Sequence, residues 1–136
     1  GLFRHHVTRA GLANRFDIDS AGTGGWHAGE PPDPRMRRTA RERGVDLSQQ
    51  RARALVAEDL TRFDHLLAMD RQNLRHITGM GPARARVALL RDFDPSPGDG
   101  EVPDPYYGGD AGFTEVYEIV ERATQALLER LRASAR

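Results

Sequence analysis

Asp104 stands in the stretch Glu101 to Gly109, EVPDPYYGG, where a carboxylic acid is followed by Pro105 and then by two aromatic rings, Tyr106 and Tyr107. An aspartate before proline by itself shapes a turn, but one set beside aromatic surface can do more. Rings stack on a flat aromatic substrate, and a nearby acid protonates the oxygen that leaves it. Trp26, in the glycine-rich stretch GTGGWHAGEPPD, offers a third ring from a second loop. Asp104 is therefore the candidate general acid, and Trp26, Tyr106 and Tyr107 are the candidate pocket walls.

The elements around these residues decide whether they can meet. GLFRHHVTRAG places Leu2, Phe3, Val7 and Ala10 on one helical face, with Gly11 to end the helix and no Ser, Thr, Asp or Asn ahead of it as a cap. Phe16 to Gly22, FDIDSAG, alternates apolar and polar residues as a short strand does. After the Trp26 loop, Asp33 and Pro34 form an N-cap and first-turn pair that opens a basic helix closed by Gly44. Val56 to Phe63 reads as a short helix and Asp64 to Met69 as a buried strand. Asp70 caps the helix RQNLRHITGM, and Val87 to Arg91 is a further strand. A long loop, Asp92 to Gly112, carries the Asp-Pro-Tyr-Tyr, and loops of that length in a compact domain are functional or disordered. The last segment sets Phe113, Val116, Tyr117, Val120, Ala123, Leu127, Leu128 and Leu131 on one stripe at helix spacing, which is core. This order predicts an α/β fold of parallel strands with right-handed crossovers. Ligands in such folds sit beyond the carboxyl ends of the strands, where the Trp26 and Asp104 loops are both expected to line one crevice.

Bulk properties narrow the class. At 136 residues the chain fits one domain, residues 1–136. Lys+Arg and Asp+Glu both number 20, so the net charge of zero predicts neither a nucleic-acid partner nor an acidic membrane surface. A mean hydropathy of −0.63 fits a soluble protein, expected in the cytoplasm. No apolar run nears the ~20 residues of a membrane helix. No cysteine occurs, which removes disulfides and thiolate metal sites. Adjacent His5 and His6 lack the i, i+4 spacing of helical metal ligands and read as solvated or partly packed. His27 reads as a loop residue at the pocket rim. Arg35, Arg37, Arg38, Arg41 and Arg43 read as a solvated helix face or a basic rim for an anionic ligand. GTGG at 22–25 lacks the spacing of a nucleotide loop, and neither a metal nor an organic cofactor is expected.

Four segments, in order, carry a resemblance: GLFRHHVTRAGL, DIDSAGTGGWHAGEPPDPR at 17–35, FDHLLAMDRQNL at 63–74, and EVPDPYYGGDAGFTEVYEIV at 101–120. Over nearly its whole length the chain resembles the low-molecular-weight protein tyrosine phosphatases. The resemblance implies a phosphotyrosine phosphatase I-like fold, a four-stranded parallel sheet with helices on both faces. It implies a two-step phosphoryl transfer from a phosphotyrosyl protein or small aryl phosphate, releasing inorganic phosphate. In the family a cysteine thiolate attacks from a loop between the first strand and the first helix, and an arginine of that loop holds the phosphoryl oxygens. Backbone N–H groups and the helix dipole bind the dianion and lower the thiolate pKa. Carried over residue by residue, Asp104 is the acid for the leaving tyrosine and then the base for hydrolysis of the phosphocysteine. Trp26, Tyr106 and Tyr107 are the pocket walls, and Ser20 takes the position whose hydroxyl supports the phosphate loop. Gln50 stands where some members have a histidine in that supporting network.

The absent cysteine sets a further expectation. The family's first strand and Cys-x5-Arg loop are expected ahead of Gly1, so the 136 residues are N-terminally incomplete and inactive by themselves. A missing central strand leaves backbone groups unpaired at ~1–3 kcal/mol each, against a domain stability of ~5–15 kcal/mol, so poor folding alone is expected too. Two rival readings remain at this point. Thioredoxin-coupled arsenate reductase needs downstream cysteines that are not here. A catalytically dead phosphotyrosine- or protein-binding module is the other, and an upstream Cys-x5-Arg-Ser loop would exclude it.

Overall fold

Leu66, Leu67 and Ala68 form an apolar run in β1 (His65–Ala68), and in a strand successive side chains face opposite ways. The computed structural model, which describes residues 1–22, 29, 33–103 and 109–134, covers both faces of this strand. β1 pairs in parallel with β2 (Arg86–Leu89), His65 opposite Arg86 through Ala68 opposite Leu89, and α4 (Arg71–Gly79) joins the two as a β-α-β unit. Ala68 packs on one side in a cluster with Leu60, Ile77 and Leu89, with Leu66, Leu74 and Val87 against it. Leu67 packs on the other, against Leu90, Val102, Val116, Ile119, Ala123 and Leu127. Helices therefore lie on both faces of the sheet, which is why the strand reads as continuously apolar.

The second layer is organised by α5 (Gly109–Ser134), which packs on α1 (Leu2–Arg9), α2 (Pro34–Glu42) and a 3-10 turn at Leu90–Phe93. Phe113, Val116, Tyr117, Ala123, Leu127 and Leu128 are buried, as their helical spacing predicts, and Ile119 joins them. Val120 and Leu131 are half-buried against the same core. Tyr117 gathers Leu2, Ala40 and Val45 into a smaller cluster. The cap expectations hold at both helix starts. Asp33 accepts the Arg35 N–H at 2.8 Å to open α2, and Asp70 accepts the Asn73 N–H at 2.7 Å to open α4. Gly11 (φ 73°) follows α1 in the left-handed conformation that glycine takes freely.

Several expectations need correction. Phe16 to Gly22 forms no strand ladder: Phe16 makes an edge-on contact with Phe3, the Ile18 carbonyl accepts from the Arg4 guanidinium, and only Gly22 bridges Ala54 in parallel. The second strand stops at Leu89, not Arg91, because the Asp92 carboxylate accepts the Leu89 N–H at 3.1 Å and turns the chain into the 3-10 helix. The last helix starts at Gly109, not Phe113. The short helix, α3, covers only Asp59–Arg62. Ala10 is exposed, since α1 has ended before it. Two members of the basic run lie over rings: the Arg35 guanidinium is 4.5 Å from the Phe113 centroid and that of Arg43 is 5.2 Å from Tyr117. Among the described residues the sheet has two strands.

After β2 the chain is held by one enclosed carboxylate. Asp94, whose side chain is fully buried (0% exposed), accepts from Arg122 Nε at 2.6 Å and Nη2 at 2.9 Å, from Arg91 Nε at 3.2 Å and from the Ser96 N–H at 2.8 Å. Arg91 spends its other nitrogens on the carbonyls of Glu101 and Ser96, both at 2.8 Å. Gly98 (φ 56°) lets the loop wrap this guanidinium, since a Cβ there would lie 3.3 Å from Arg91 Nη2. The Arg122 contact first, and the Ser96 and Arg91 bonds with it, hold the Asp94 carboxyl below the ordinary aspartate range. A carboxyl lowered in the folded state contributes stability that is present above its unfolded value, about 3.9, and is lost as pH falls through the lowered folded value. The Asp94 contribution, read as the difference in urea midpoint between the wild-type protein and Asp94→Asn, should thus be constant from neutrality to about pH 5 and shrink below about pH 4. Asp94→Asn should blunt that acid sensitivity while costing about 3–5 kcal/mol at neutral pH, because it strands a buried guanidinium. A variant with the wild-type midpoint at both pH values would contradict this.

Candidate active site

The crevice beyond the carboxyl ends of parallel strands is where the site is sought. Met69 and Asp70 follow β1, residues 90–103 follow β2, and hydrogen bonds tie the two exits together. The Val102 N–H donates to the Met69 carbonyl at 2.8 Å, and the Arg71 N–H donates to the Glu101 carboxylate at 2.8 Å. The Arg71 guanidinium also donates to the Asp99 carbonyl at 2.8 Å. Val102 is buried in the core, so the chain is anchored two residues before Asp104. Met69 is an exposed large apolar side chain beside this anchor, a surface that sequence reasoning did not single out. Asp104, Trp26, Tyr106, Tyr107 and His27 lie outside the described residues, as does the expected crevice between their loops.

Ser20 is described, and a second ionic hub holds its segment. The exposed Ser20 donates its N–H to Asp19 Oδ1 at 2.8 Å, and Asp19 Oδ2 accepts from Arg53 Nε at 3.1 Å. Arg53 then forks onto Asp59, Nη1 to Oδ2 and Nη2 to Oδ1, both at 3.0 Å. Asp59 is buried, and its Oδ2 also accepts the Val56 N–H at 2.9 Å. The Arg53 bonds first, then the Val56 N–H, keep the Asp59 carboxyl below its ordinary range. Beside this hub the Gly22 N–H donates to the Arg53 carbonyl and the Leu55 N–H to the Gly22 carbonyl, both at 2.8 Å. Residues 19–22, which precede Trp26 in sequence, are thus fixed to the segment at 53–55. Neither Arg53 nor Asp59 was singled out from sequence, because nothing local marks an arginine in RARALVAEDL as the partner of an aspartate six residues on.

Gln50 is half-buried beside the start of α1, where a Cβ on Gly1 would lie 3.9 Å from its Cδ and 2.3 Å from Leu47 Cδ2. His5 and His6 are partly packed, with ring centroids 6.0 Å apart. Burial first, and the neighbouring His5 next, push the His6 pKa down. No group of three or more His, Asp or Glu side chains among the described residues is placed to hold a metal.

The profile of the family described as low molecular weight phosphotyrosine protein phosphatase matches residues 1–136. The chain belongs to this family. It is 43% identical over 136 residues to a low molecular weight protein-tyrosine-phosphatase of Streptomyces coelicolor, covering 96% of this chain and 82% of the relative. The human low molecular weight phosphotyrosine protein phosphatase is 35% identical over 133 residues, covering 95% and 83%. A crystal structure of a protein tyrosine phosphatase from Entamoeba histolytica superposes with a TM-score of 0.91 at 31% identity, covering 99% of this chain and 87% of that one. The α/β phosphatase fold and the reaction class, hydrolysis of a phosphoric monoester, follow from that membership. No helix among the described residues is long and apolar enough to cross a membrane.

Within this phosphatase the Arg53 hub is open to test. Arg53→Met leaves Asp59 buried without its fork and should lower stability by about 1.5–3 kcal/mol. Arg53→Lys should recover only part of that, since a point charge cannot make two parallel bonds. Equal urea midpoints for all three proteins would remove the hub from the account.

Proposed function

We propose that these residues supply the acid half of a phosphotyrosine phosphatase that works through a phosphocysteine. The observation that supports the reading is the match, along almost the whole chain, to relatives named protein-tyrosine phosphatases, with Asp104-Pro105-Tyr106-Tyr107 starting two residues after the Val102 anchor. The chain contains no cysteine, so the nucleophile of such a reaction lies on residues outside these 136. The attacking thiolate forms an S–P bond as the P–O bond to the aryl oxygen breaks. Protonated Asp104 gives its proton to that oxygen, and the phenol departs. Asp104, now a carboxylate, takes a proton from the water that attacks phosphorus. The S–P bond breaks, and thiolate and inorganic phosphate are released. Trp26, Tyr106 and Tyr107 flank the aromatic ring of a phosphotyrosyl protein or small aryl phosphate. Ser20, on the segment held by Arg53, supports the loop that carries the thiolate. The same reading places β1 and β2 in a sheet of four parallel strands. No metal or organic cofactor enters any of these steps.

The test uses the polypeptide together with its upstream coding sequence, assayed on p-nitrophenyl phosphate and on a phosphotyrosyl peptide. Asp104→Asn should cost ~10²–10⁴-fold in rate, with the larger loss on the tyrosyl leaving group. An unaffected variant rejects Asp104 as the acid. Binding of phosphotyrosyl peptide without release of phosphate from either ester would favour the binding module.

A further inference from the structure

We propose that Arg122, acting through Asp94, is a positioning residue that sets where the acid Asp104 is delivered. The inference rests on the reading of Asp104 as the acid. Residues 104–108 are bracketed by two described stretches, 94–103 before them and α5 after them. Asp94 belongs to the first stretch and Arg122 to the second, so their two-pronged contact at 2.6 and 2.9 Å ties together the two stretches that flank the acid's segment, from ten residues before Asp104 to a point thirteen positions into α5. Arg91 extends the cross-link toward Asp104. Bound to Asp94 through Nε, it holds the Ser96 and Glu101 carbonyls with its remaining nitrogens, and Glu101 is three residues before the acid.

Holding α5 in place does not by itself call for this arrangement. The helix already buries Phe113, Val116, Tyr117, Ile119, Ala123, Leu127 and Leu128, and well-packed apolar side chains stabilise as well as a buried ion triad or better. What the triad adds is direction. A carboxylate gripped in the plane of a guanidinium fork fixes both the distance and the rotation of one stretch against the other. A general acid must come within ~2.6–3.2 Å of the oxygen it protonates, and misplacement by ~1 Å can cost about 100-fold. Arg122 is the member of the triad that can be changed with least damage to the core, since its side chain is 39% exposed while those of Arg91 and Asp94 are enclosed.

The experiment measures kcat/KM, which includes departure of the leaving group, on phenyl phosphate and on 2,4-dinitrophenyl phosphate. The proteins are the polypeptide with its upstream sequence, Arg122→Met, Asp104→Asn, and the two changes combined. Dinitrophenolate leaves without a proton, and phenol does not. Arg122→Met should lose about 10- to 100-fold on phenyl phosphate, much less on the dinitrophenyl ester, and nothing further once Asp104 is already Asn. Equal losses on the two esters, losses that multiply with those of Asp104→Asn, or no loss at all would each overturn the positioning role. Should Arg122→Met show no cooperative melt, Arg122→Lys carries the same comparison, keeping a cation against Asp94 while giving up the fork. If Asp104→Asn alone shows no dependence on the leaving group, the acid assignment fails and the positioning role falls with it. That failure is recognised in the Asp104 variant, without reference to Arg122.

Discussion

A carboxylate taken wholly out of water costs several kcal/mol unless every lone pair finds a donor, and that requirement at Asp94 governs how the second layer of this protein is set against the first. Its donors come from Arg91 and Ser96, close by in sequence, and from Arg122, thirteen positions into α5. Meeting them all fixes the angle and height of α5 over the turn that ends β2. α5 in turn carries α1 and α2, because Tyr117 is shared with Leu2, Ala40 and Val45. A lysine at position 122 would supply charge without the planar fork, leaving α5 to its apolar packing and a single, less directional ionic contact.

Apolar burial and ionic contacts have divided tasks in this molecule. The two faces of β1 and the stripe of α5 account for the layers, through clusters that tolerate small adjustments. The ionic hubs sit where the chain leaves those layers for its loops. Arg53, between Asp19 and buried Asp59, holds residues 19–22, which precede Trp26 in sequence. Arg91 and Arg122, around Asp94, hold the approach to Asp104. Loops placed by directional bonds on rigid elements keep a geometry that hydrophobic contact alone would leave slack.

What the sequence disclosed follows from how local each signal is. The caps at Asp33 and Asp70, the glycine after α1 and the apolar stripe of α5 depend on neighbours within a turn or two, and they were legible. Phe16 to Gly22 has the alternation of a strand, but whether it forms a ladder depends on what lies alongside. Its Phe16 ring and Ile18 carbonyl are engaged by α1 instead. The end of β2 was misjudged because Arg91 looks like a strand residue until Asp92 turns back to cap the Leu89 N–H. Both hubs were missed for a like reason. Their partners are 28 residues apart for Asp94 and Arg122, and 34 for Asp19 and Arg53, and charge alone does not announce such pairing.

The contrast among three aspartates sharpens what the acid requires. Asp59 and Asp94 are buried, yet arginine forks hold them ionised, and an ionised carboxylate has no proton to give. A general acid needs the reverse environment, one that disfavours the charged form through desolvation and offers no nearby cation. Asp94 and Asp104 both precede a proline, but Asp94 stands three residues after Arg91, while EVPDPYYGG contains no lysine or arginine and puts two aromatic rings immediately beyond its aspartate-proline pair. Asp94 is locked as an anion to hold the frame. Under the proposed function Asp104, which has aromatic residues and no basic one beside it in sequence, is the carboxyl that keeps a proton for the phenolic oxygen.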